Sequence, residues 1–357
     1  MRKAIFKKAS IALAALLLAS GSNFAGNYDR AGQAGATELL INPWARSSGY
    51  GGANSAAVRG LEAQFLNVGG LAFTKRTEML FSRTSWLVGT DINISSFGFS
   101  QKVGSTGVMG LGIMSMNFGD IPITTVDLPE GGIGTFSPQF INLGLAYSKA
   151  FSDNIYGGMN LKVISESISD VSARGVALDA GIQYVTGKYD HIKFGIALKN
   201  VGPRMVFNGD GLSFKAPLPN GFNGSITVEQ RSAPFELPSL VNIGGSYDLY
   251  FSKDTANMKN HRVSISGTFT SNSFSKDEFR VGAEYAWKSL VMARLGYIYE
   301  EGIFNIETRT TAFTGLNAGV TVELPFGKSG STFGLDYSYR QTNFFGGCHA
   351  IVARINL

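Results

Sequence analysis

The 357-residue sequence contains few side chains suited to catalysis or metal binding: three histidines and one cysteine. His191, His261 and His349 fall on separate alternating segments, none with a second ligand at metal-binding spacing. Each reads as an interface or lumen residue. No G-x-S-x-G, H-E-x-x-H, paired-cysteine or phosphate-loop motif occurs. Gly51-Gly52 and Gly69-Gly70 do not lead a strand into a helix, so a nucleotide loop is not read there. The lone Cys348 permits no intramolecular disulfide and reads as unreactive. The expectation is therefore a protein without catalytic residues, bound metal or cofactor. The charges with informative spacing are Lys162, Glu166, Asp179, Arg262, Glu284, Arg294, Glu323, Asp336, Arg340 and Arg354, with Gln183 among them. They alternate with apolar residues and carry both signs. In a barrel they would point inward and cross-link the lumen; a polar conduit is the functional alternative.

The scaffold for these charges shows its unit in Phe279–Tyr299. Phe279, Val281, Ala283, Tyr285 and Trp287 alternate with Arg280, Gly282, Glu284, Ala286 and Lys288. After Lys288-Ser289, Val291, Ala293, Leu295, Tyr297 and Tyr299 alternate with Met292, Arg294, Gly296, Ile298 and Glu300. Period two is the strand signature, so this is a tight hairpin with one apolar and one mixed face. Pairing across the turn sets Glu284 beside Arg294 as part of a polar lumen. Each arm is roughly ten residues, the length a tilted strand needs to cross a bilayer. Aromatic residues gather near the strand ends, where a membrane interface holds them.

The pattern recurs at about 77–87, 91–103, 106–118, 137–150, 154–166, 174–186 and 190–200. It continues at 237–250, 260–271, 277–287, 290–300, 311–323, 331–341 and 347–357, about fourteen segments in all. The final segment ends on an alternating, apolar-terminated run, Ile351, Ala353, Ile355 and Leu357. The tight connections Gly104-Ser105, Ser152-Asp153, Gly187–Tyr189 and Lys288-Ser289 fall on one side, while 119–136 and 201–236 fall on the other. Short inner turns and long outer loops are the asymmetry of outer-membrane barrels. The 45 glycines and abundant Phe and Tyr suit many strands and tight turns better than helices. The net charge of +5 is mild and its basic residues are scattered, so no nucleic-acid surface is read. The fold class expected is all-β: a transmembrane antiparallel up-and-down barrel of about 14 strands over residues 77–357.

The first residues, with Arg2, Lys3, Lys7 and Lys8 before the short apolar run Ile11–Ala19, read as a signal peptide spanning 1–25. Cleavage is expected near 21–25, after Gly21 or Ala25. Outer-membrane localisation in a Gram-negative bacterium follows, with membrane lipid as one partner. Residues 26–76 lack the alternation but are rich in apolar residues, which suggests a hatch folded within the barrel; a periplasmic appendage is the alternative. The long connection 201–236 carries Met205, Val206, Phe207, Leu212, Phe214, Leu218, Phe222 and Ile226. It reads either as a lid over the mouth or as a docking surface.

Arg46-Ser-Ser-Gly-Tyr-Gly51-Gly52-Ala53, followed by Asn67-Val68-Gly69-Gly70-Leu71-Ala72, resembles the N-terminal signature of FadL-like barrels, R-x-x-G-x-G-G-A and then N-P-A-G-L-A. Val68 replaces the proline. Asn200-Val201-Gly202-Pro203-Arg204, Glu236-Leu237-Pro238, Asp336-Tyr337-Ser338-Tyr339 and His349 are similar to elements of the PorV/PorQ family of Bacteroidetes. The resemblance covers nearly all of the sequence after the leader and implies a fourteen-stranded barrel. It further implies a role in the type IX secretion system, as translocon partner or as carrier or anchor of secreted proteins. The partners it implies are a large translocon barrel, secreted proteins with C-terminal signal domains or a surface sortase-like protein. The outer-loop residues Arg204, Met205, Phe207, Phe214 and Phe222 are the candidate partner-binding set. Arg46, Gly51, Gly52, Asn67, Gly69 and Gly70 are the candidate hatch set. The competing function is a FadL-like transporter of hydrophobic small molecules, although no single strand break stands out as a gate.

Overall fold

Strands whose two faces differ this sharply must place each face in a different solvent, and a closed ring achieves that without leaving a sheet edge unpaired. The computed structural model describes residue 26 and residues 28–218, 223–251, 260–307, 309–326 and 330–357. The leader region and Phe222 lie outside the described residues. Fourteen described strands form the ring. They are β1 Thr77–Ser85, β2 Asn93–Val103, β3 Gly107–Asn117, β4 Gln139–Ala150, β5 Ile155–Ile168, β6 Val171–Thr186 and β7 Ile192–Val201. The second half comprises β8 Leu240–Tyr250, β9 His261–Asn272, β10 Glu278–Trp287, β11 Val291–Glu300, β12 Phe313–Phe326, β13 Ser331–Thr342 and β14 Cys348–Asn356. Each pairs antiparallel with its sequence neighbours, and β1 closes on β14 from Glu78↔Asn356 to Ser85↔His349. The expected all-β, fourteen-stranded antiparallel barrel is the fold. Expected strand limits agree to within about three residues, the largest differences being β6, which begins at Val171, β8, which begins only at Leu240, and β12, which runs on to Phe326.

The ring is inverted relative to a water-soluble protein. Val281 is 56% exposed and Leu295 62%, whereas Glu284 and Arg294 are 6% and 3% exposed. The same inversion holds from Leu145, Leu161, Ile182 and Ile196 round to Ile265, Val320, Leu335 and Ile351, all outward. Leaving one such side chain in water forgoes about 1.5–3 kcal/mol, so a continuous band of them requires a hydrocarbon solvent. Tyr147, Tyr184, Phe194, Tyr247, Tyr285 and Trp287 stand outward near the short-turn end of the ring, the position of an interfacial aromatic girdle. His261 belongs to this girdle through Tyr285, with Nδ1 2.7 Å from the phenol oxygen. His191 packs edge-on to Tyr247, and His349 lies 2.8 Å from the Tyr337 hydroxyl.

Residues 36–74 run inside the ring, mostly buried and in short helical turns. The preceding residues are held at the long-loop end. Gly26 N–H donates to Asp277 at 2.8 Å, Arg30 pairs with Glu236 at 3.0 Å, and Ala34 bridges to Glu236. The segment therefore passes from the long-loop end down the lumen to Thr77, where β1 begins. Glycines on the inward face make room for it. A Cβ on Gly296 would sit 2.2 Å from the Tyr50 carbonyl, and one on Gly98 would sit 2.5 Å from Leu61.

Candidate functional site: the lumen and its vestibule

Deep in the lumen, charges of opposite sign are matched. Glu284 accepts from Arg294 Nε at 2.6 Å and from Arg262 at 2.5 Å. Arg294 also donates to Thr321 at 2.6 Å, and Thr321 donates to Asp336. Arg354 bridges Glu323 at 3.0 Å and Asp336 at 3.6 Å. Lys193 pairs with Asp248, and Lys162 with Asp179 at 2.8 Å. With Arg294, Arg354 and Asp336 almost fully buried, such pairs are worth little net but are costly to break singly. Among the described residues no group of three or more His, Cys, Asp or Glu is placed to hold a metal ion.

The candidate hatch residues line this lumen. Arg46 lies in the field of Glu62, Asp336, Glu284 and Glu323. Ser47 donates to Glu62 through both its N–H and its hydroxyl, and Leu61 N–H donates to Glu78 at 2.7 Å. Gly51 and Gly52 have φ of 64° and 71°, a left-handed turn against Asn317 and Arg280 that a side chain would strain. Asn67 Oδ1 caps the turn Val68–Phe73 through Gly69 N–H, while its Nδ2 donates to the Ile182 carbonyl at 3.1 Å. Gly69 and Gly70 let the same turn press on wall backbone at Tyr156 and Gly181 and on Val58.

The outer-loop candidates divide. Arg204 is exposed and pairs with Glu236 at 2.7 Å; hydrogen bonds from Arg30 and Arg204 hold the Glu236 carboxyl below its ordinary range. Met205 is 1% exposed and packs against Gly175, Leu39 and Ile164. It presents no surface to a partner, because the chain leaving β7 doubles back onto the wall before the loop begins. Phe207 is half-buried against Phe235, 5.5 Å between ring centroids. Phe214 is 52% exposed on the hairpin Ser213–Pro217 with Ser225–Glu229. The fold-back has a local cause. Asn200 sits at φ 60°, its N–H donates to Asp179 at 2.7 Å, and its Nδ2 donates to the Pro238 carbonyl at 2.9 Å. Gly202 follows because a Cβ there would meet the Val176 carbonyl at 2.1 Å.

Above the inner segment lies a vestibule of about 510 Å³ at the long-loop end. One wall is an aromatic and aliphatic shelf: Trp86, Ile92, Met116, Phe118, Phe140 and Phe313. Phe118 and Phe140 meet edge-on at 4.8 Å, as do Trp86 and Phe313 at 5.4 Å. Arg340 stacks 3.5 Å over Phe313, and Lys199 lies 3.8 Å over Phe65. Thr37, Glu38, Leu40, Ile41, Asn42 and Phe65 form the floor, and no described residue of the 202–239 connection lines the vestibule. The wall beside it is interrupted. β11 runs to Glu300, but its pairing with β12 stops at Tyr297↔Leu316, and on its other side β12 shifts register against β13 between Phe313 and Asn317, where Gly315 has φ 91°. A smaller cavity of about 70 Å³ lies beneath the floor, lined by Glu38, Gln64, Phe65, Asn142, Lys162 and Asp179 among others. Burial and then the neighbouring Glu166 push the Glu38 carboxyl up to about 8.

The shelf and Glu38 did not stand out in the sequence. Trp86, Ile92 and Phe118 sit at strand ends where girdle aromatics are expected, and Glu38 is a lone acid outside any periodic segment. The available signals were two polar residues on inward strand faces, Asn142 on β4 and Glu166 on β5.

No protein-family profile matches the chain, and no curated protein matches it. Solved structures do. The CymD monoaromatic hydrocarbon channel aligns at a TM-score of 0.50 and 12% identity, covering 88% of this chain and 97% of that one. The Ralstonia pickettii toluene transporter TbuX aligns at 0.48 and 14%, covering 88% and 97%. A Pseudomonas aeruginosa FadL homologue aligns at 0.48 and 10%, covering 87% and 96%. At such identities the likeness is one of fold: this chain is similar to outer-membrane barrels of the FadL-like type.

Proposed function

We propose that this barrel is an outer-membrane channel for small hydrophobic molecules, with its long-loop end outward and residues 26–76 acting as its hatch. The vestibule carries the reading. A space of some 510 Å³ with one aromatic and aliphatic wall, and polar groups such as Lys199, Asn242, Glu278 and Arg280 on the others, opens at the long-loop end and has the size of a small-ligand pocket. The hatch closes it below, and the interrupted β11–β12 ladder lies beside it. The fold is shared with a monoaromatic hydrocarbon channel. The test is titration of the purified barrel in detergent with toluene and with decane, followed by Trp86 fluorescence in a Trp44→Phe/Trp287→Phe background. Saturable quenching that is lost in Phe118→Asp/Phe140→Asp supports the channel; no saturable response to either probe counts against it.

A second reading is favoured by one observation. No described residue of the hairpin 213–229 lines the vestibule, and the hairpin exposes Phe214 and Ile226. That suits protein docking better than a lid. With the resemblance to PorV/PorQ, it supports a role in type IX secretion, with a translocon barrel, secreted C-terminal domains or a sortase-like protein as partner. A mild-detergent pull-down from native outer membrane separates the two. Stoichiometric recovery of such proteins, lost on deleting 213–229, favours secretion. Recovery of the barrel alone with bound small hydrophobic molecules favours the channel.

A further inference from the structure

Near the vestibule floor two buried carboxyls adjoin, and neither has an ion pair among the described residues. Glu38 is 2% exposed, Glu166 4% and Asn142 8%. Both Glu38 oxygens, and both ends of the Asn142 amide, are buried without a hydrogen-bond partner among the described residues. Glu38 comes from the inner turn Thr37–Leu40, while Asn142 and Glu166 are diagonal inward neighbours on β4 and β5, where Phe140 pairs with Glu166 and Asn142 with Ile164. The Glu38 carboxyl faces both Glu166 and Asn142. The nearest cation lining the same cavity, Lys162, is engaged by Asp179 and Asn200.

Two adjoining carboxylates without a counter-charge cannot both ionise in a buried site. A shared proton would satisfy the carboxyls, to which the Asn142 N–H can also donate, yet leave the Asn142 amide oxygen unpartnered. A hard cation satisfies all three, taking carboxylate oxygens and the amide oxygen and completing its shell with water. Room for that water exists: Glu38 and Asn142 line the cavity of about 70 Å³, and Glu38 also lines the vestibule, which gives a route in from the long-loop end. We propose that Glu38, Glu166 and Asn142 form a site for a divalent cation of calcium's size, which fastens the inner segment to the β4–β5 wall.

The experiment uses the full barrel in detergent, stripped with chelator and titrated with Ca²⁺ by calorimetry, with thermal unfolding followed at pH 5 and pH 8. The expected result is one saturable Ca²⁺ per chain, weakened more than about tenfold by Glu38→Gln and tightened by Asn142→Asp, which adds a carboxylate. The pH arm has a defined sign. A carboxyl raised from 4.5 to about 8 on folding makes the stripped barrel lose stability as pH rises between those values. Ca²⁺ should cancel that loss at pH 8 and change little at pH 5. Absence of saturable binding overturns the proposal, as does equal affinity in Glu38→Gln and Asn142→Asp, which would mark surface binding. An unfolding profile that falls from pH 5 to pH 8 identically with and without Ca²⁺ also overturns it and assigns the pair a shared proton.

Discussion

Asn67 uses both ends of its amide on backbone, capping the turn Val68–Phe73 and reaching the Ile182 carbonyl of β6. It ties the inner segment to the wall with one side chain. Asn67→Ala should therefore cost about 1–2 kcal/mol, read from urea unfolding in lipid vesicles. Val68 follows the cap as first residue of the turn, the position where proline is favoured. Val68→Pro should leave stability within about 1 kcal/mol of wild type, and a larger loss would show that the Val68 side chain fills its cluster irreplaceably. At this scale the sequence was partly readable. Asn67 and Asn200 were visible as motif positions, and each has a backbone-holding part. Met205 was misread as loop surface because its burial depends on Gly175, thirty residues away, and no local pattern records that contact.

At the scale of elements, period-two alternation made the strands readable to within a few residues, because lipid outside and packed polar groups inside reward every second side chain oppositely. The inner segment obeys no such period. Its path is set by glycines on other strands, and a glycine in an alternating run reads only as a weak polar position. Gly296 is a sharp instance, since its missing Cβ is the space taken by the Tyr50 carbonyl. Gly296→Ala should displace that turn. Limited proteolysis of the detergent-solubilised barrel should then cut within 36–74 while the strands stay protected; protection of 36–74 equal to wild type would show that the wall yields instead. The interrupted β11–β12 ladder was equally unreadable. The alternation runs on through Phe313–Gly315 while the pairing with β11 ends at Leu316.

For the molecule as a whole, the direction of its two faces makes a measurable difference. Leu295, 62% exposed between Ala283 and Ala318 near the middle of β11, should resist a charge strongly. Leu295→Arg is expected to cost about 2–4 kcal/mol in vesicle unfolding, and a cost near zero would place that band outside the hydrocarbon. The course of the inner segment bears on how such a molecule is made. The ring is sealed by eight residue pairs, Glu78↔Asn356 through Ser85↔His349, and the segment leading directly into β1 fills what those pairs enclose. Its buried Glu38, Glu62 and Asn67 would have to be drawn past the polar lumen if the ring shut first. The order of assembly is thereby constrained: the leading segment is wrapped by the growing sheet, and the β1–β14 seam is the last part to zip.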